Sequence, residues 1–251
     1  MWHRRLSLVL ITLTLFAGSI RELRSQTNEQ DLDYILRRYI QANGGRGPLE
    51  QVSSVRMRGR MISPDGSTQA VTVMKKKPNL VRITADTGIY RVIKAYNGET
   101  AWYSRESGRF SEVKRLKAEQ AVDLIRDAPL AGVLFNSKGR DVSMTLDGVV
   151  PYESWTCYQI SATYPDMSKF VHFIDQESFM ERCILQYDSK GILVAEIIPT
   201  EFEKIDGILF STRIDRYLNG KLQGTLVLEE IETNIGIIDE AFDPPAQLQD
   251  N

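Results

Sequence analysis

The sequence predicts a mainly β (α+β) protein: one large, strongly curved antiparallel sheet with helices on one of its faces. Three observations carry that prediction. From Ser53 onward, apolar and polar residues alternate with period two. Gly, Asn, Asp and Pro punctuate the alternating runs at short intervals, and short connections between strands mean antiparallel neighbours. Only two segments carry a helical period. A sheet of about a dozen strands curls or closes, so an enclosed, partly helix-covered concave surface is expected.

Residues 1–25 read as a secretory signal peptide. His3, Arg4 and Arg5 precede an apolar run from Leu6 to Phe16, then small Ala17, Gly18 and Ser19. The run is shorter than the about 20 residues that span a bilayer. Cleavage is expected after Ser19 or Ser25, leaving one exported domain over residues 26–251; an uncleaved N-terminal anchor is the alternative.

A helix comes next. Leu32, Ile35, Leu36, Tyr39 and Ile40 fall at i, i+3, i+4, i+7 and i+8 on one apolar stripe. Thr27 or Asn28 caps its start, Glu29 and Asp31 suit the positive end of its dipole, and Gly44-Gly45 stops it. Strands then begin. Val55, Met57 and Met61 alternate with Arg56, Arg58 and Arg60, giving one apolar and one cationic face. The Pro64-Asp65-Gly66-Ser67 turn returns the chain onto Thr68 to Lys76. Leu80 to Ala85, Ile89 to Tyr96 and Thr100 to Ser104 follow. Lys114 to Arg126 breaks the alternation and predicts a second helix bearing Leu116, Val122 and Ile125; a compact apolar segment, Leu130 to Phe135, follows Pro129. After Gly139 strands resume: Asp141 to Leu146, Trp155 to Tyr164, Phe170 to Asp175, Phe179 to Tyr187, Leu193 to Phe202, Ile208 to Leu218 and Gly224 to Asn234. The tail from Phe242 is expected to fray.

A net charge of −2, from 31 basic and 33 acidic residues, makes no electrostatic case for nucleic acid. Lys75-Lys76-Lys77 reads as a solvated strand end, with a lipid-headgroup contact as the sharper alternative. Cys157 and Cys183 invite a disulfide. In a simple meander, however, the strand from Phe170 to Asp175 separates theirs. Next-nearest strands lie about 9–10 Å apart, beyond the roughly 7 Å Cα limit for a bridge, which favours buried free thiols. His172 is the sole histidine outside the leader, and one histidine with two separated thiols makes a weak metal site. No nucleophile elbow, zinc-binding helix or phosphate-cradling loop is present. No catalytic residue, metal or cofactor is therefore expected. Of Glu229, Glu230 and Glu232, only the last two share a strand face.

Three motifs stand out: Lys77-Pro78-Asn79-Leu80-Val81-Arg82, Asn97-Gly98-Glu99-Thr100-Ala101-Trp102-Tyr103, and Asn234-Ile235-Gly236 with Phe242-Asp243-Pro244-Pro245. In this order and spacing the chain resembles the outer-membrane lipoprotein-sorting (LolA-like) family, with Lys76 restoring the family spacing before Pro78. The resemblance covers essentially the whole chain after the leader. The insertion near Asp127-Ala128-Pro129-Leu130 sits where that family places lid helices. The resemblance implies an incomplete β-barrel, open on one side, with helices over a hydrophobic cavity. That cavity receives the acyl chains of a lipoprotein or another lipid in the periplasm, for transport or sorting towards the outer membrane. It further implies a monomer without enzymatic activity, served by membrane-associated donor and acceptor proteins. The chain departs from the compact carriers in a longer second half and a shorter tail. Arg56, Arg58 and Arg82 are candidates for the arginine that holds the lid.

Exposing one sixteen-carbon chain to water costs roughly 12 kcal/mol, so a soluble carrier must offer an apolar concave surface. The strand faces assigned inward carry Val55, Met57, Met61, Val71, Val73, Val81, Ile83, Ile208, Phe210 and Ile214 as candidate cavity wall. Val122, Ile125, Leu130, Leu134 and Phe135 are the candidate lid underside. Methionines adapt to varied cargo shapes. The competing readings are a filled core without a cavity and, on the same fold, a non-enzymatic module that binds or senses an envelope protein.

Overall fold

The computed structural model describes residues 31–135 and 141–248. The predicted leader, its cleavage points, the caps Thr27 and Asn28, Glu29 and Gly139 lie outside the described residues. Helix α1 covers residues 31–42 and buries Ile35, Tyr39 and Ile40 from its apolar stripe. Gly44 and Gly45 end it at φ of 108° and 87°. Gly44 is needed for a second reason: a Cβ there would lie 2.0 Å from the Gly207 carbonyl oxygen. A short helix not foreseen from the pattern, α2 (Arg46–Gln51), follows and packs Leu49 near Val52, Val55 and Ile208.

Two antiparallel meanders make up the sheet. The first comprises β1 (Ser54–Ile62), β2 (Thr68–Lys76), β3 (Leu80–Asp86), β4 (Arg91–Tyr96), β5 (Ala101–Ser107) and β6 (Phe110–Arg115). Helix α3 (Ala118–Asp127) then leads to the second: β7 (Ser143–Tyr152), β8 (Trp155–Thr163), β9 (Lys169–Asp175), β10 (Glu181–Tyr187), β11 (Leu193–Ile205), β12 (Ile208–Leu218) and β13 (Lys221–Thr233). The meanders join where β1 pairs with β13, giving 13 strands in the order β6 to β1, then β13 to β7. Among the described residues the sheet does not close: β6 and β7 are its two edges.

Several predicted boundaries shift, most by one to three residues at strand ends, and three of the shifts matter for the topology. Lys114 and Arg115 belong to β6 and pair with β5, so the second helix starts only at Ala118. As an edge strand, β6 is mostly exposed and lacks the apolar alternation that would have marked it. β7 continues past Leu146 to Tyr152 through an irregularity between Leu146 and Gly148. Ile89 lies in the turn before β4 and is exposed.

Gly59 carries the β1–β13 joint. A Cβ at this position would sit 1.9 Å from the Val227 carbonyl oxygen, and the register shifts by one residue beside it, from Arg58↔Glu230 to Gly59↔Leu228. That bulge brings Glu229 to the same outer face as Glu230 and Glu232. The three carboxylates therefore meet Arg60, Arg58 and Arg56 at 2.6, 2.5 and 2.5 Å, a ladder of partly exposed ion pairs. Each such pair contributes about 0–1 kcal/mol.

The three sequence motifs converge in one clasp on the outer face. Residues after β13 return across the first meander, and the predicted fraying tail is instead anchored, with Phe242 fully buried. Trp102 Nε1 donates to the Phe242 carbonyl at 2.8 Å, and Arg82 Nη1 donates to the Ala241 carbonyl at 2.7 Å while its guanidinium lies 5.6 Å from the Trp102 ring. Asn97 Nδ2 donates to Asp243 Oδ1 at 2.8 Å, and Lys76 Nζ donates to the Ile237 carbonyl at 2.6 Å. Arg82, a candidate for the arginine that holds the lid, thus faces outward and donates to the backbone of the C-terminal segment instead.

On the second meander's outer face, Cys157 and Cys183 are buried beside Val171 and Phe173 and are free. β9 lies between their strands, as the meander argument requires. Burial pushes the Cys183 thiol up to about 12 and raises that of Cys157.

Replacing Trp102 with Ala is expected to cost about 3–5 kcal/mol, and with Phe about 1–3 kcal/mol because the Phe242 carbonyl loses its buried donor; urea unfolding measures both. With thiolate negligible at neutral pH, a thiol-disulfide dye should label neither cysteine in the native protein and both after denaturation.

Candidate functional site

Cross-strand partners project to the same side of a sheet, so the register defines the concave wall row by row. One row runs Val81, Lys75, Val55 and Thr233; the next runs Ile83, Val73, Met57 and Ile231. A third holds Ala85, Val71, Gly59 and Leu228, and a fourth Met61, Leu226, Ile214 and Pro199. Ile208 and Phe210 share the parity of Ile214 and pack with Val55 and Met57. All ten wall residues proposed from alternation therefore occupy one face. Val55, Val71, Val73, Val81 and Ile208 are buried, whereas Met57, Met61, Ile83, Phe210 and Ile214 are half-buried.

Leu226, Leu228 and Ile231 complete this wall but escape a reading from alternation. The bulge at Glu229 interrupts their period, and only the β1 pairing shows which face they occupy.

A chain that leaves β6 at one sheet edge and enters β7 at the other must cross the sheet. It does so over the concave face. Ala121, Leu124 and Ala128 of α3 and its exit pack on Val81 and Ala101. Leu130 then packs with Val52, Val55 and Ile208, and Val133 and Leu134 reach Ile35, Tyr39, Ile160 and Ile174 under α1. The Phe135 ring meets Tyr39 edge-on at 5.4 Å. Leu130, Leu134 and Phe135 thus lie against the concave side. Val122 and Ile125 point elsewhere, because at about 100° per residue they occupy the flank of α3 next to the Ala121–Leu124 face. With Ala118 and Pro129 they line a cavity of about 470 Å³, whose opposite wall is Tyr164 and Pro165 in the β8–β9 turn.

Cations fasten this cover. Lys75, at 13 % side-chain exposure, donates to the Asp127 carbonyl at 2.6 Å and to Asp127 Oδ1 at 3.0 Å, capping the last turn of α3. Lys77 Nζ donates to the Leu49 and Glu50 carbonyls at the end of α2. The lysine run is therefore a set of three anchors, with strand alternation sending Lys76 to the outer clasp. Arg126 is 11 % exposed and stacks over Tyr164 and Phe170 at 4.2 and 5.2 Å. Its Nη1 donates to Asp123 at 3.1 Å, and its Nη2 to Asp166 at 3.2 Å and Ser168 Oγ at 2.7 Å. Burial alone would raise the Asp166 carboxyl; hydrogen bonds from Ser168 and the Arg126 charge outweigh it and hold the group below its ordinary range.

His172 faces the same interior, opposite Ile160. Its Nδ1 lies 2.6 Å from Glu181 Oε1, and among the described residues its buried Nε2 has no partner. Burial, reinforced by the Glu181 charge, pushes the Tyr39 hydroxyl well up. Among the described residues no group of three His, Cys, Asp or Glu side chains is placed to hold a metal ion.

The sequence matches no family model and no curated protein. Solved structures do match. A DUF1329 family protein from Desulfovibrio piger aligns at 13% identity and a TM-score of 0.60, over 84% of this chain and 97% of that one. A protein domain from Vibrio parahaemolyticus, named for outer membrane lipoprotein sorting, aligns at 11% identity and 0.59, over 84% and 95%. A LolA superfamily protein from Nitrosomonas europaea aligns at 17% identity and 0.59, over 84% and 96%. An unclosed, curved 13-stranded antiparallel sheet with helices on its concave face, matched along nearly the full length of these proteins, has the LolA-like fold.

Proposed function

We propose that this protein is a non-enzymatic carrier that holds the acyl chains of a lipoprotein or another lipid against its concave face. It works in the periplasm, on cargo bound for the outer membrane. One observation carries this reading: Met57, Met61, Ile83, Phe210 and Ile214 line the inside of the sheet yet remain only half-buried. A filled core would bury them, since each full burial is worth about 1.5–3 kcal/mol. The names of the similar proteins from Vibrio parahaemolyticus and Nitrosomonas europaea support the same class, as does the signal-peptide layout of residues 1–25.

Holding is burial of hydrocarbon against this wall. Release then requires a second arrangement of the cover close in energy to the first, because a ligand moves an equilibrium only by its differential affinity for the two states. The cover is segmented in a way that suits such a change: α3 with Ala128 grips the first meander, and Val133 and Leu134 grip the second.

Native mass spectrometry of the protein expressed with its leader in a Gram-negative host, followed by organic extraction, is expected to yield phospholipid or acylated peptide at about one per chain. An Ile214→Asp variant should keep its thermal unfolding temperature within a few degrees yet lose most bound lipid, since a carboxylate on the wall must be desolvated by cargo. A lipid-free mass that persists after incubation with lipids and lipopeptides would overturn the carrier reading in favour of a protein-binding module.

A further inference from the structure

We infer that the groove between α3 and the β8–β9 turn binds a single alkyl chain whose head carries no negative charge. This deepens the carrier reading, on which it rests for the apolar nature of the cargo, by naming the cargo class and a site apart from the ten wall residues.

Size points to one chain. An apolar cavity of about 150 Å³ holds a benzene molecule. The 470 Å³ here is roughly three times larger, so it has room for on the order of sixteen to eighteen carbon atoms. The walls suit hydrocarbon: Val122, Ile125 and Pro129 face Tyr164 and Pro165. Ile125 is 40 % exposed, and Met167, next along the turn, is 68 % exposed. Both leave apolar surface in water that an inserted chain would cover.

Charge selects the head. The one cation of the lining, Arg126, has its guanidinium engaged by Asp123, Asp166 and Ser168 and is stacked on two rings. Asp166 of the lining and Asp123 beside it both bond this guanidinium, so the groove has no free cation to offer an anionic head. Lys169, at the start of β9, lies over the Tyr187 ring, 5.2 Å from its centroid. A fatty-acid carboxylate would lie beside Asp166 with its only nearby cation in the lining already paired, which suppresses binding by unfavourable pairing. A glyceride or amide head meets no such barrier and finds acceptor oxygens for its own hydroxyl or N–H donors.

The test titrates the purified full chain with monopalmitoylglycerol, which is uncharged, and with palmitate. Native mass spectrometry reads stoichiometry, and calorimetry reads affinity. One monopalmitoylglycerol per chain is expected, with palmitate bound about ten-fold more weakly. Ile125→Asp, a partly exposed position that folding tolerates, should weaken monopalmitoylglycerol about ten-fold without moving the unfolding temperature. Asp166→Asn should narrow the gap between the two probes by favouring palmitate. Equal or tighter binding of palmitate by the native chain overturns the charge selection. If Ile125→Asp binds normally while Ile214→Asp does not, the chain lies on the sheet wall; the groove assignment falls and the carrier reading stands. If the native chain binds neither probe, the groove assignment falls, while the carrier reading is decided by the phospholipid and lipopeptide result.

Discussion

The pairing of β1 with β13 is the constraint on which the rest of the molecule depends. It joins two meanders that would otherwise be separate sheets and puts their remaining ends, β6 and β7, at opposite edges. The connection between those edges then has to traverse the sheet, and one face of the sheet is apolar and needs covering. Both demands are met by the same segment, α3 with residues 128–135. The joint tolerates little variation, since Gly59 brings β1 within a hydrogen atom's reach of the Val227 carbonyl. A side chain there would part the strands at the centre of the sheet.

Alternation supplies the apolar wall, and curvature makes it the concave face. In a flat sheet the rows through Met57 and Met61 would be an open apolar surface. In a curved sheet they form its inner face, where Met57 and Met61 are half-buried, with Met57 packed near Leu49 and Leu130 of the cover. The cover is a chain of local contacts, each with its own cluster, and α3 rests on small Ala121 and Ala128. Small residues allow close approach at modest buried area, so this contact is weaker per residue than the Tyr39–Leu134–Ile174 packing under α1. The helix flank that faces away from the sheet is left lining the groove.

Charge is used in this protein mainly to hold backbone ends. Lys75 and Lys76 reach opposite sides of the sheet because successive strand residues point to opposite faces, Lys77 follows in the turn after β2, and each donates to backbone carbonyl oxygens of a different segment. Arg82 does the same for the returning C-terminal segment. Arg126 differs in bridging a helix and a hairpin turn through side chains alone. Those contacts are the ones a ligand entering the groove would lie beside.

Period-two alternation by itself determined most of the strand content and which residues of one strand share a face, as Val55 with Met57 and Phe210 with Ile214, because pleating ties face to parity; that the apolar faces of different strands coincide follows from their pairing. The i, i+3, i+4 spacing likewise determined that α1 would bury Ile35, Tyr39 and Ile40. Edges and short helices were illegible: β6 is polar on both sides, and α2 is too brief to show a period. Only the tertiary structure decided which strands meet at the centre, because the β1–β13 partnership spans most of the chain and leaves no local trace. It alone decided that the C-terminal segment is clasped by Trp102 and Arg82, motif residues whose purpose lies some 140 positions away from them. It also decided which flank of α3 meets the sheet. A helical stripe shows which residues are apolar, but the docking partner chooses among neighbouring faces, and the sheet took Ala121 and Leu124 while Val122 and Ile125 were left to the groove.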